Sequence, residues 1–190
     1  MMKNLLIVLI FFVFKSLLAN ADEKTKYSKN SLDKEVYYKI GIFDYKHPTD
    51  MLAVNRKVVH NKQTDLPYIG AVNKIYDLMI MGDKNNFYSY KDNGDDRDEY
   101  AIYISTGYQT TFDLSNNINI SPSFSVGLYG EMDQGKNMGF PLNFKSELEF
   151  NYLSKNDFIY GFTYNHISNA DIGYKNPGSD SFLLSVRKQK

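Results

Sequence analysis

Through the C-terminal half of the chain, apolar and polar residues alternate with a period of two. Between Leu142 and Tyr152 one face carries Leu142, Phe144, Leu148, Phe150 and Tyr152, and the other carries Asn143, Lys145, Glu147, Glu149 and Asn151. Successive side chains on a strand point to opposite faces, so the segment reads as a β-strand with aromatics on one side and charge on the other. The same parity runs through Tyr100, Ile102, Ile104, Tyr108 and Phe112, through Ile118, Ile120, Phe124, Val126 and Leu128, and through Phe158, Tyr160, Phe162 and Tyr164. Val36, Tyr38, Ile40 and Ile42 repeat it near the start. Turn signals divide the chain into about eight such segments: 36–44, 51–59, 68–79, 99–112, 118–129, 142–153, 158–166 and 180–187, of which the second and third are weakly patterned.

Two architectures could use this alternation. In a soluble sandwich the apolar face is the interior and favours interlocking aliphatic side chains. Long strands ending in aromatics, with charge on the opposite face, suit a wall that meets lipid outside and encloses polar side chains inside. The pattern therefore predicts an all-β fold, an eight-stranded antiparallel transmembrane β-barrel of the outer-membrane type. Composition agrees, with 16 Tyr and 13 Phe set among many Asn, Ser, Asp and Lys.

Residues 1–21 predict a secretory signal peptide. Lys3 precedes an apolar run from Leu5 to Leu18 that Lys15 and Ser16 interrupt, and Ala19-Asn20-Ala21 offers small residues for cleavage before Asp22. The run is too short for a membrane-spanning helix, which needs roughly 20 apolar residues. Residues 22–190 then form one barrel domain, with no linker or repeat to split it. The chain has no cysteine, so an exported fold must rest on packing or on a closed sheet. Net charge is zero and the basic residues are scattered, which argues against a nucleic-acid partner.

Connection lengths predict the orientation. Residues 114–117 and 154–157 make tight turns, whereas 84–98, 130–141 and 167–179 are long. Outer-membrane barrels keep their short turns on the periplasmic side and their long loops outside. The hairpin between the last two strands therefore opens at the cell surface.

That hairpin holds the candidate chemistry. Tyr164-Asn165-His166-Ile167-Ser168-Asn169-Ala170 is followed by Asn176-Pro177-Gly178 and Asp180. A serine hydroxyl is a weak nucleophile until a base takes its proton and an acid holds that base in the right tautomer. His166 and Ser168 continue the outward series of Phe158 to Tyr164, and Asp180 is in phase with outward Phe182, Leu184 and Val186. A polar trio on a lipid-facing wall is costly to place there and points to use.

The run from Tyr164 to Gly178 resembles the signature of the lipid A 3-O-deacylases of the PagL type, also grouped as acyloxyacyl hydrolases. The resemblance extends more loosely over 121–152, through Gly139-Phe140-Pro141-Leu142 and Phe144-Lys145-Ser146. It implies an integral barrel of the bacterial outer membrane, a serine carboxylic ester hydrolase that removes the 3-O-linked acyl chain of lipid A in the outer leaflet. It further implies His166 as general base, Ser168 as nucleophile and Asp180 as the acid that orients His166, with Asn169 and Asn176 near the oxyanion and substrate. The family usually has Glu where Asp180 stands and Gly where Asp171 stands, and such barrels usually end on an aromatic residue rather than Lys190. The alternative is a catalytically inactive barrel with a structural or surface-binding role, which Asp171 favours. Homodimer formation is left open.

The remaining motifs imply no cofactor and no metal. Gly130 to Lys136 has the G-x-x-x-x-G-K spacing but lacks the following Ser or Thr and the helix that holds phosphate, so it reads as a surface loop. The acidic run 92–99 misses the EF-hand spacing. His47 and His60 stay unassigned.

Overall fold

The structure is a computed structural model that describes residues 34–43, 51–67, 69–83, 100–132 and 137–189. The signal-peptide segment 1–21, His47, the acidic run and the whole long connection after the third strand lie outside the described residues, as does part of the G-x-x-x-x-G-K loop.

All the regular elements described are strands: β1 (Lys34–Phe43), β2 (Met51–Leu66), β3 (Gly70–Asp83), β4 (Tyr100–Gln109), β5 (Phe112–Ser115), β6 (Ile118–Met132), β7 (Leu142–Leu153), β8 (Phe158–Ser168) and β9 (Ser179–Lys188). They form one antiparallel sheet in which consecutive strands pair, except that β4 and β5 both pair with β6. It closes where β1 meets β9, with Ile40 to Phe43 opposite Leu184 to Ser181. The expected fourth strand is split at Thr110 and Thr111, so β4 and β5 share one stave against β6 and the barrel has eight staves. The split faces Pro122, which has no N–H to give the ladder; its carbonyl accepts from Thr110 N at 3.1 Å instead.

The weakly patterned strands are longer than expected. The second runs to Leu66, past a register shift between Val59 and Gln63, and the third spans Gly70–Asp83. Their pattern is faint because part of the interior is apolar. Met79 and Met81 point inward while Leu78 and Ile80 face out, so apolar residues occupy both faces.

The barrel interior has two layers. Toward the end with the long connections, Phe43, Ala53, Met79, Met81, Ala101, Tyr103, Tyr129, Met138, Ile167 and Leu183 form an apolar plug. Below it lies an ionic cluster in which Lys39 Nζ contacts Glu147 and Glu149, both at 2.7 Å. Lys57 reaches Glu147 at 2.6 Å, and Lys145 bridges Asp77 at 2.9 Å and Glu147 at 3.2 Å. Arg187 joins Glu149 at 3.1 Å, and the Tyr37 hydroxyl donates to the same residue. Three lysines and Arg187 thus face Asp77, Glu147, Glu149 and Glu35, the last bonded to Arg187 at 2.8 Å, and this pairing limits the cost of taking the charges out of water.

The outer wall is the reverse of this. Tyr38, Ile40, Ile104, Phe124, Leu128, Leu184 and Val186 are each more than half exposed. The period-two pattern is therefore charge inside and apolar outside, as a wall in lipid requires.

Candidate active site

Strand β8 carries His166 and Ser168 at its upper end, and its pairing with β7 and β9 runs without a register shift. Parity is preserved up to the rim. Thr163, Asn165 and Ile167 point inward and are fully buried, which leaves Tyr164, His166 and Ser168 on the outer wall. Leu183 and Ile167 of the apolar plug lie directly behind this wall and give it a packed backing.

The β8–β9 register places His166 directly opposite Asp180. Their side chains meet, with His166 Nδ1 2.8 Å from Asp180 Oδ1. The carboxylate accepts, so Nδ1 is the donor, and in the neutral imidazole Nε2 is the nitrogen that keeps a lone pair. The imidazole is 41% exposed and the Asp180 side chain only 9%, so the pair is anchored on its acidic side and open on its basic side. Asp180 reaches the imidazole directly, although its side chain is one methylene shorter than the glutamate that the resemblance implies.

Tyr164 completes this arrangement. Its hydroxyl donates to the same Asp180 Oδ1 at 2.6 Å, and its ring leans on Phe182, centroids 5.5 Å apart. Strand parity puts Tyr164 on the His166 face, but as one more aromatic beside lipid. The contact depends on β8–β9 register, which a single strand's sequence does not contain.

Ser168 sits two residues beyond His166 on the same side and pairs with Phe144 of β7. Among the described residues no hydrogen bond joins Ser168 to His166, so the resting arrangement is a His–Asp pair with a serine nearby. Catalytic hydrogen bonds are often long or absent before substrate binds. On the other side of His166 the ladder places Ser146, an exposed hydroxyl residue of β7.

The loop after β8 is built around Asn169. Its buried amide donates to Met138 O and Lys175 O, both at 2.7 Å, and its Oδ1 accepts from Asp171 N at 3.0 Å. Asn176 Oδ1 accepts from Asn169 N at 3.1 Å, and Asn176 Nδ2 donates to Asp171 Oδ1 at 3.0 Å. Asn169 thus ties the loop to itself and to Met138, Asn176 ties the loop to itself, and both side-chain donors of Asn169 are engaged. Ala170 and Asp171 have φ of 55° and 63°, a left-handed conformation that explains why glycine suits position 171. Aspartate is among the residues that tolerate it best.

Gly178 borders the open edge of the imidazole. A Cβ built there would lie 3.0 Å from His166 Cε1 and 3.5 Å from Nε2, and its φ of 62° also favours glycine. Asn176-Pro177-Gly178 therefore brings a bare backbone against the face of His166 that holds the lone pair. Beyond the pair, stacked rings continue along the wall, with Phe162 on Phe182 and Phe124 on Phe144, centroids 5.8 and 6.0 Å apart. Among the described residues no group of His, Cys, Asp and Glu is arranged to hold a metal ion.

A model of the family described as lipid A 3-O-deacylase (PagL) matches residues 71–189, which include every residue of this site. The crystal structure of the outer membrane enzyme PagL is similar with a TM-score of 0.51 at 14% identity, over 80% of this chain and 97% of that one. The crystal structure of Neisserial surface protein A (NspA) is similar with a TM-score of 0.56 at 10% identity, over 84% of this chain and 98% of that one. At these identities the structures bear on the fold alone. No curated protein matches the chain.

Proposed function

The chain belongs to the lipid A 3-O-deacylase (PagL) family of outer-membrane β-barrels, and from that premise we propose that it hydrolyses the 3-O-linked acyl ester of lipid A by a serine-esterase mechanism. The observation that carries the proposal is the His166–Asp180 pair, bonded at 2.8 Å on the lipid-facing wall at the end of the barrel with the long loops. Lipid A offers its acyl chains beside such a wall and its ester bonds near headgroup level. An outward site at the rim meets the ester without drawing the lipid into the barrel.

In the proposed reaction His166 Nε2 takes the Ser168 proton as Ser168 Oγ attacks the acyl carbonyl. Asp180 holds the imidazolium. The ester C–O bond then breaks, the sugar oxygen leaves with the proton from His166, and the acyl group stays on Ser168. Water, deprotonated by His166, attacks that acyl-enzyme, the acyl–Oγ bond breaks, Ser168 Oγ takes the proton back from His166, and the fatty acid leaves. Asn169 and Asn176 act here by shaping the loop beside the oxyanion, since their side-chain amides already hold that loop together.

A second reading, a barrel without hydrolase activity, draws on the two engaged donors of Asn169 and on Asp171 in place of glycine. Mass spectrometry of lipid A from cells with and without the protein separates the two. The proposed function expects loss of one 3-hydroxyacyl chain with the wild type, and none with Ser168→Ala. An acyl pattern that the folded wild-type barrel leaves unaltered, in a host whose lipid A carries the 3-O-acyl group, sinks the enzyme reading.

A further inference from the structure

We infer that Tyr164 is a positioning residue of this site, a second donor that fixes Asp180 where its short side chain can hold His166. The inference rests on the proposed hydrolysis and adds a residue to it. Two donors converge on one oxygen: Tyr164 Oη at 2.6 Å and His166 Nδ1 at 2.8 Å from Asp180 Oδ1. The three residues come from two adjacent strands in unbroken register, with His166 opposite Asp180 and Tyr164 opposite Phe182.

Three features separate this from an ordinary aromatic at the membrane boundary. A girdle tyrosine directs its hydroxyl to headgroups and water, whereas this one gives it to a carboxylate buried to within 9%. The ring is held by Phe182, itself stacked on Phe162, so the hydroxyl is delivered by a packed support rather than by a free rotor. The acceptor is also the oxygen that the imidazole uses, so the bond restricts the two side-chain torsions of Asp180 that decide whether Nδ1 has a partner. A charge-assisted O–H···O bond of this length is among the stronger side-chain contacts.

The geometry also accounts for aspartate at position 180. A shorter carboxylate has less reach, so its oxygen must be placed more closely for Nδ1 to find a partner. The tyrosine ladder position supplies that constraint.

The test uses the full-length barrel in detergent micelles, with lipopolysaccharide that carries the 3-O-acyl group as substrate. Tyr164→Phe keeps the ring and removes the donor. It is expected to lower kcat by about 10-fold to 100-fold, the range for misplacing a reacting group, with KM within about 2-fold of wild type. In an Asp180→Glu background the same change is expected to cost less than about 3-fold, because the two residues act as a unit. A rise in KM with unaltered kcat, or equal losses in both backgrounds, overturns the inference and returns Tyr164 to lipid contact.

A second measurement keeps this apart from the hydrolase reading. With ¹⁵N-histidine labelling, and His166→Gln to assign the signal, the Nδ1 resonance of His166 is expected to move in Tyr164→Phe whether or not the barrel turns over lipid A. An unmoved resonance overturns the positioning role. Absence of turnover in the wild type, with the resonance shifted, counts against the hydrolase reading alone.

Discussion

The barrel holds two polar clusters, one on each side of its wall, and they are built on opposite principles. Inside, Lys39, Lys57 and Lys145 meet Asp77, Glu147 and Glu149, and each lysine has at least one carboxylate oxygen within 3 Å. Outside, Tyr164, His166 and Asp180 form a chain in which two donors meet on Asp180 Oδ1 and the imidazole is open to its surroundings. A buried network whose charges are paired with one another has no charge left to offer a substrate, so the inner cluster supports the structure. A network with one lone pair presented outward has a place for chemistry.

Disabling each cluster in turn should separate rate from stability. His166→Ala and Ser168→Ala are expected to lower ester hydrolysis by on the order of 10⁴-fold or more, as for other nucleophile–base pairs. They should leave the heat-dependent mobility shift of the folded barrel on gels unaltered, because both side chains project from the outer surface. Hydrolysis within 10-fold of wild type in either variant would remove these residues from the mechanism.

The inner cluster should answer the other way. Lys145→Met removes the cation that bridges Asp77 and Glu147, and leaves two buried carboxylates short of a partner. Breaking a buried pair costs roughly 3–5 kcal/mol, read as a lower urea midpoint in detergent. Hydrolysis per folded molecule should stay within about 3-fold of wild type. Adding Asp77→Asn should recover part of the loss, since it removes one of the stranded charges.

A smaller effect probes the boundary of the outer cluster. Gly178→Ala puts a methyl 3.0 Å from His166 Cε1, at a φ of 62° where a side chain is also strained. The imidazole must shift, and displacements near 1 Å can cost about 100-fold in rate. Asp180 should still hold Nδ1, so the loss should fall mainly on kcat. A wild-type rate would show that the imidazole can yield without penalty.

The two clusters also differed in how far the sequence disclosed them. Period-two alternation revealed both faces of β7, and with them Lys145, Glu147 and Glu149, because charge and aromatics there never share a side. It placed His166, Ser168 and Asp180 on the outer wall for the same reason. It was silent for β3, where Met79 and Met81 face an apolar plug and mask the alternation. Contacts that depend on register between strands were beyond it. Tyr164 showed only as an apolar position, and its hydroxyl bond arises from the fixed offset of β8 against β9. The left-handed backbone at Ala170 and Asp171 had a faint trace, the glycine that the family resemblance implies at 171.

Substitutions at Asp171 should have the smallest effects. Asp171 combines a φ of 63° with a side-chain bond to Asn176 at 3.0 Å, so substitutions can separate backbone cost from contact. Asn keeps both the tolerance for left-handed φ and an acceptor oxygen, and Asp171→Asn should match wild type in thermal midpoint. Asp171→Gly loses the bond but adopts this φ freely, so its net change should stay under about 1 kcal/mol. Asp171→Ala loses the bond and keeps a Cβ that clashes in this conformation, a penalty of roughly 1–2 kcal/mol, and should be the least stable of the three. The same order should hold for hydrolysis, because the loop that Asp171 closes carries Gly178 to the imidazole. If Ala and Gly prove equal, backbone conformation does not govern this position, and the bond to Asn176 alone explains aspartate there.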